Sequence, residues 1–333
     1  MTVTAIVGGQ FGSEGKGVLA ARIAHRYDVA VRTGGPNAGH TFWHNGQVYK
    51  MRQIPCGWIN PNCELILGAG AVVDPRVLRD EAKFVGRLPF IDKQAVILQP
   101  EFREEELDIV ATIGSTGEGV GIARIAKAAR NGSAVLAGEE YPHSSIDTVP
   151  YLWHRLEKGK EILLEGTQGS GLSLHHGIYP YVTSEDTNVA QLLANAGIAP
   201  DWLRHTLLVA RTYPIRVGGP SGPLRGEVDW GLIPGHVTPE QTTVTKRQRR
   251  IGRWDHDLFM RAVMLNEPCG IVLTFADYMD PDIREKESLN EWDDELRQLM
   301  YSIEKEVPIV LIGVGGEQFT MIQHNRCAHG EIW

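Results

Sequence analysis

The sequence predicts an α/β fold in which a mainly parallel central sheet carries helices on both faces. Three observations predict it. Short apolar runs alternate with helix-like stretches along the chain. Several of these runs lack the period-two alternation of half-exposed strands, as strands buried on both faces do. The first run also passes directly into a glycine-rich, P-loop-like turn and then a helix, an arrangement that aims backbone N–H groups at an anion.

The elements follow in order. Thr2–Val7 is β-branched and apolar and forms the first strand, and the helix Gly17–Arg26 opens after its glycine turn. Glu64–Leu67 is a short apolar strand, followed by the helix Arg76–Phe84 and the strand Ala95–Leu98. Gly121–Arg130 reads as a helix, and Glu161–Leu164, Thr206–Ala210, Gly270–Thr274 and Pro308–Ile312 as further strands. Glu285–Glu306 reads as one long helix, because Leu289, Trp292, Leu296, Leu299, Met300 and Ile303 fall about one face with the charges mostly opposite. No repeat and no long Ser/Gly/Pro linker interrupts the series, so residues 1–333 are expected to form a single domain.

Composition narrows the function. The 333 residues contain 42% hydrophobic and 22% charged side chains, which excludes disordered and fibrous classes. A net charge of −8 argues against a general nucleic-acid binder, so an anionic ligand must find a local cationic site. No apolar run approaches the roughly 20 residues of a bilayer span. The first ten residues lack the basic n-region of a signal peptide, giving the expectation of a cytoplasmic protein. The four cysteines form no CxxC pair; they are expected to be reduced, small buried residues rather than metal ligands.

The chemistry-bearing segments begin with Gly8-Gly9-Gln10-Phe11-Gly12-Ser13-Glu14-Gly15-Lys16-Gly17. Backbone N–H groups and the positive helix end can hold a phosphate there, and Lys16 adds a full charge. The loop departs from the standard P-loop at Gln10 and Gly17, and a tight turn needing positive φ is the plainer alternative. In Gly34-Gly35-Pro36-Asn37-Ala38-Gly39-His40-Thr41, small residues admit a ligand, Asn37 offers a donor and an acceptor, and His40 can act as acid or cation. His40 and His44 have the spacing of a helical zinc pair, but the preceding glycines argue for loop or strand and against metal. Three further segments present hydroxyls or amides at strand ends: Gly114–Gly119, Glu165–Gly169 and Tyr179–Ser184. Val217–Gly226 reads as a functional loop. Thr242–Thr245 precedes Lys246-Arg247-Gln248-Arg249-Arg250, four cations in five residues that suit a carboxylate or phosphate pocket or, alternatively, a solvated surface.

Taken in order, these motifs resemble adenylosuccinate synthetases over nearly the whole chain. That family shows Gly-Asp-Glu-Gly-Lys-Gly, Asn-Ala-Gly-His, Thr-Gly, Glu-Gly-x-Gln-Gly, Tyr-Pro-x-Val-Thr-Ser, Arg-Val-Gly-x-Gly-Pro and Thr-Gly-Arg-x-Arg-Arg. The compact length resembles its short, archaeal-type members. The resemblance implies transfer of a γ-phosphoryl group to the 6-oxo group of a purine monophosphate, then displacement of phosphate by the amine of L-aspartate. It implies that Ser13, Glu14, Gly15, Lys16, Gly17, Gly39, His40, Thr41, Arg249, Phe275, Asp277 and Gly315 hold the triphosphate nucleotide. Mg²⁺ would contact Ser13 and the Gly39 carbonyl. Ser13, Asn37, Thr116, Arg130, Gln168, Thr183, Val217 and Arg247 would hold the acceptor nucleotide, Arg130 acting across a homodimer interface. Thr243, Val244, Thr245, Arg247 and Arg249 would hold aspartate. Ser13, Lys16, His40 and Gln168 would carry catalysis.

Three positions depart from the family pattern. Ser13 stands where the family has the aspartate that takes the N1 proton, and such general-base help is worth roughly 10²–10⁴-fold. A shorter, neutral side chain leaves room for a purine 2-amino group, and the serine resembles the phage branch of the family, the 2-aminoadenylosuccinate synthetases. That branch implies dGMP as acceptor, with the carboxylate of substrate aspartate as the missing base. Phe275 stands where the family has lysine in Thr-Lys-x-Asp, and Gly313-Val314-Gly315-Gly316 lacks the usual Thr/Ser-Gly-Pro, so ATP or dATP is expected as donor. Lys246 replaces a glycine beside the arginines. An ordinary synthetase using IMP and GTP, or a non-catalytic nucleotide-binding relative, remains the alternative reading.

Overall fold

The computed structural model describes residues 2–234, 237–242, 246–286, 288–315 and 320–325. A ten-stranded sheet runs through the molecule in the order 320–323, 309–314, 270–274, 203–211, 3–8, 162–165, 29–32, 64–67, 90–92, 145–146. Its pairings are parallel except at the edge, where 320–323 runs against 309–314.

The central strand explains the missing alternation. All six residues of Val3–Gly8 are buried, with Val3, Ala5 and Val7 packed into one core cluster and Ile6 into the other. The first cluster takes residues of Thr148–Glu157, Val189–Ala196, His256–Asn266 and Asp294–Glu304. The second takes residues of Lys16–Ile23 and Pro75–Val85. Helices therefore cover both faces of a mainly parallel sheet, as the sequence predicts. Among the described residues, no helix is long and apolar enough to cross a membrane.

Several elements differ from expectation. The long helix of 285–306 is only Asp294–Glu304, preceded by short 3₁₀ turns at Ile283–Glu285 and Leu289–Glu291. Asp293 caps the helix by accepting from the Glu295 N–H at 2.8 Å, while its own N–H donates to Asp280 at 2.8 Å, so the start is fixed there. Ala95–Leu98 shrinks to Val96–Ile97, which pairs with Val72–Val73 outside the main sheet. Cys56 and Cys63 are free and buried, but Cys269 is disulfide-bonded, which corrects the expectation of four reduced thiols; no local spacing announces it.

Candidate active site

Loops at the carboxyl ends of the strands enclose one side of a cavity of about 780 Å³. The glycine loop forms its floor. Gly12, Ser13 and Gly15 have φ of 88°, 57° and 98°, the left-handed conformation that lets the chain turn back onto the following helix. A Cβ on Gly17 would lie 2.4 Å from that of His40, so glycine there is what allows loop and histidine to touch.

Glu14 organises the loop from inside. Its Oε1 accepts from the N–H groups of Gln10 at 3.1 Å and Gly12 at 2.8 Å, and its Oε2 pairs with Lys16 Nζ at 2.5 Å. Both side chains are buried, but Lys16 lines the cavity and Glu14 does not. Thr274, at the end of a strand two places along the sheet from Val3–Gly8, ties down the loop by donating its hydroxyl to the Glu14 carbonyl at 2.6 Å.

His40 begins the Val-free hairpin strand His40–His44, not a helix, consistent with the argument against a zinc pair. Its Nδ1 lies 2.6 Å from Glu165 Oε1, and Arg32 Nη1 lies 2.6 Å from the same oxygen. We assign the Nδ1 proton to the bond with the carboxylate, which leaves Nε2 as the basic ring position. Arg32 also donates to the Ala38 carbonyl at 2.6 Å, and the Cys56 N–H to Glu165 Oε2 at 2.6 Å. Burial and then the Arg32 charge lower the His40 pKa to about 4, against the opposing pull of Glu165. Burial alone would raise Glu165; the His40 hydrogen bond and the Arg32 charge instead hold it at about 2. The site therefore contains a neutral histidine aligned by a fixed carboxylate. His40, Cys56 and Glu165 bring three ligand atoms within 4.8 Å of one another. The Arg32 guanidinium lies against two of them, however, so this trio is an ion-pair network and ill suited to a cation.

Of the sequence-derived candidates, Ser13, Lys16, Asn37, Gly39, His40, Thr116, Gln168, Thr183, Val217 and Arg249 line this one cavity. Among the described residues, Asn37 Oδ1 and Arg249 Nε are buried without a hydrogen-bond partner, polar atoms that a ligand can satisfy. Burial lowers the Arg249 pKa, partly offset by Glu240. Glu14, Gly15, Gly17, Thr41 and Arg247 do not line it, but the half-buried Arg247 donates its N–H to Oγ1 of the cavity-lining Thr242 at 3.0 Å. Arg130 is exposed at the end of Val120–Ala129, with φ of 54°, and does not line its own chain's cavity. Thr243, Val244 and Thr245 fall outside the described residues, as does Gly316.

Phe275, Asp277 and Gly315 come together at the ends of neighbouring strands. The Gly315 N–H donates to Asp277 Oδ1 at 2.9 Å. The Arg211 guanidinium lies 3.8 Å from the Phe275 ring centroid, pairs with Glu240 at 2.5 Å and donates to the Ser13 carbonyl at 3.3 Å. Arg211 thus joins the phenylalanine to the serine loop. Sequence reasoning missed Arg32, Arg211 and the role of Glu165. Each is an ionisable residue closing an otherwise apolar run at the carboxyl end of a parallel strand, the signal that marks them.

The adenylosuccinate synthetase family model matches residues 5–138 and 135–285. An adenylosuccinate synthetase of Methanococcus maripaludis (strain C5) is 38% identical over 293 residues, covering 85% of this chain and 86% of its own. That of Methanocaldococcus jannaschii is 33% identical over 335 residues, covering 97% and 96%. Among solved structures, cyanophage S-2L succinoaminodeoxyadenylate synthetase, bound to dGMP and to dATP as an energy donor, superposes with a TM-score of 0.83 at 32% identity, covering 94% of this chain and 93% of that one. Fully ligated adenylosuccinate synthetase from Plasmodium falciparum gives a TM-score of 0.87 at 25% identity, covering 98% and 100%. The chain belongs to the adenylosuccinate synthetase family and is a nucleotide-dependent ligase that forms a C–N bond.

Proposed function

We propose that the chain joins L-aspartate to C6 of dGMP, with ATP or dATP as phosphate donor, giving 2-amino-2′-deoxy-N6-succinyladenylate, ADP or dADP, and phosphate. The observation that carries this reading is Ser13, which lines the cavity with Gln168 and Asn37 where the family pattern has aspartate. The neighbour solved with dGMP and dATP supports it.

The 6-oxo group of a purine leaves poorly, so it is first converted into a phosphate ester. As the N1 proton leaves, O6 attacks the γ-phosphorus of the donor and the bond to the β-phosphate oxygen breaks. The aspartate amine then attacks C6, and the C–O6 bond breaks with departure of inorganic phosphate. Lys16 neutralises charge on the moving phosphoryl group. The incoming phosphates raise the proton affinity of His40, which then holds a proton at Nε2 beside the γ-phosphoryl oxygens, while Glu165 fixes its ring. Gln168 and Asn37 orient the purine, and Thr116 and Thr183 bond the 5′-phosphate. Ser13 accepts from the 2-amino group but is too weak a base for N1, so a carboxylate of bound aspartate takes that proton. Arg247, Arg249 and the Thr243–Thr245 segment hold the aspartate carboxylates.

The donor atoms fit Mg²⁺. The Ser13 hydroxyl and Gly39 carbonyl are hard oxygen ligands in the cavity that Lys16 enters, a sparse set suited to an ion that keeps waters and phosphate oxygens. Bound there, Mg²⁺ would neutralise the polyphosphate. Beside the lysine-to-phenylalanine change, the Phe275 ring favours stacking over a charged contact, which supports an adenine donor.

A homodimer completes this reading, because Leu107–Ile113 has no buried residue and Leu107 and Ile125 are each 61% exposed. A second copy covers this apolar face and brings its Arg130 to the acceptor phosphate; sedimentation equilibrium tests it, and a monomer at all concentrations would contradict it.

The relatives at 33–38% identity favour a second reading, ordinary adenylosuccinate synthesis from IMP. Phosphate release from purified protein with dGMP or IMP, ATP or GTP, with and without aspartate, separates the two. We expect aspartate-dependent release with dGMP and ATP at least about tenfold above IMP and GTP. Equal or faster turnover of IMP would overturn the proposal.

A further inference from the structure

Arg124 is a cation of the cavity wall to which the chemistry above gives no task. It lies midway along the Val120–Ala129 helix and lines the cavity with Thr116, Gly121, Thr183 and Ser184. Its Nη1 donates to Ser184 Oγ at 2.9 Å, and its Nη2 pairs with Glu185. The other oxygen of Glu185 accepts from Asn195 Nδ2 at 2.8 Å, and Asn195 Oδ1 accepts from Gln191 Nε2 at 2.8 Å. A chain of bonds thus holds the guanidinium from behind.

At the start of this helix Glu106 already accepts from the N–H groups of Gly119 and Gly121. The two bonds of Arg124 to Ser184 and Glu185 engage two of the five N–H donors of the guanidinium. Beside three hydroxyls, the remaining planar donors suit the oxygens of a phosphate.

The geometry points to Arg124 as an in-chain ligand of the 5′-phosphate of the acceptor nucleotide, with Glu185 as the residue that positions it. This rests on the reading that Thr116 and Thr183 face that phosphate, and it is independent of which purine the nucleotide carries. It gives each chain a cation of its own at the phosphate, whereas Arg130, outside the cavity of its own chain, can serve only a partner.

Titration calorimetry on the full chain and on Arg124→Gln, Arg124→Lys and Glu185→Gln variants, with dGMP against deoxyguanosine and IMP against inosine, tests the assignment. Loss of a charged hydrogen bond weakens binding by roughly 10- to 100-fold. Arg124→Gln is expected to lose at least that lower amount toward each monophosphate that the parent binds, with nucleoside affinity unchanged. Arg124→Lys, which keeps the charge, should recover part of the loss, and Glu185→Gln should show a smaller loss of the same kind. Equal losses for nucleotide and nucleoside would reduce Arg124 to packing and overturn the proposal, as would unchanged nucleotide binding. Should the chain bind IMP and reject dGMP, the base reading fails, while the inosine pair still tests Arg124. Thermal melts verify folding, and Arg124→Lys keeps the test in force if the glutamine variant does not fold.

Discussion

The two ends of the cavity are built on different plans. At the phosphoryl end, Glu14, Lys16, Arg32, His40 and Glu165 are all buried, and their charges are matched within the protein. At the acceptor wall, Thr116, Arg124, Thr183 and Ser184 stand half-buried on loops and the middle of a helix. Burying a charge is tolerable when its partner is fixed, and the carboxyl ends of parallel strands supply such fixed positions. The phosphoryl end is thus preorganised, while the wall keeps donors for a ligand. Ser13, Lys246 and Phe275, read in the sequence as departures from the family pattern, occupy loops outside the buried charge network. All three are held in the left-handed region, with φ of 57°, 56° and 57°.

The largest effect should come from breaking the preorganised end. Glu165→Gln removes the carboxylate that aligns His40 and balances Arg32, and kcat should fall by roughly 10²–10⁴-fold. The KM for the acceptor should change far less, because the acceptor wall is untouched. A steady-state measurement in which KM rises while kcat holds would show that the two ends are not separate.

A smaller effect concerns acid stability. The folded-state pKa of His40 is about 4, below its ordinary value of 6.5, so the unfolded chain binds the extra proton first as pH falls. Stability present above pH 6.5 is therefore lost between 6.5 and 4. Glu165, at about 2 against an ordinary 4.5, adds a further loss between 4.5 and 2. Melting temperatures across pH 4–7 should decline toward acid, and His40→Asn should flatten the decline between 6.5 and 4. An unchanged slope in that variant would place the titration elsewhere.

Much of the architecture was legible because buried parallel strands leave unbroken apolar runs, and because glycines recur where loop and histidine meet. Phe90–Asp92 and Ser145–Ile146 were not, since strands of two or three residues carry too little pattern. The candidate residues lining the cavity came from motif order. Arg32 and Arg211 escaped because each looks like the polar end of an apolar run, and only the fold brings Arg32 to His40 and Arg211 to Phe275. The 294–304 helix was overextended because amphipathic spacing continues past Asp293, although its cap does not.

The exchange at position 13 is the centre of the account, and Ser13→Asp tests it most directly. The ratio of kcat/KM for dGMP to that for IMP should fall at least about tenfold in the variant, through loss of dGMP use, since crowding or unpairing one polar group is worth about 1–3 kcal/mol. A variant that used dGMP as well as the parent, with that ratio unchanged, would contradict the account.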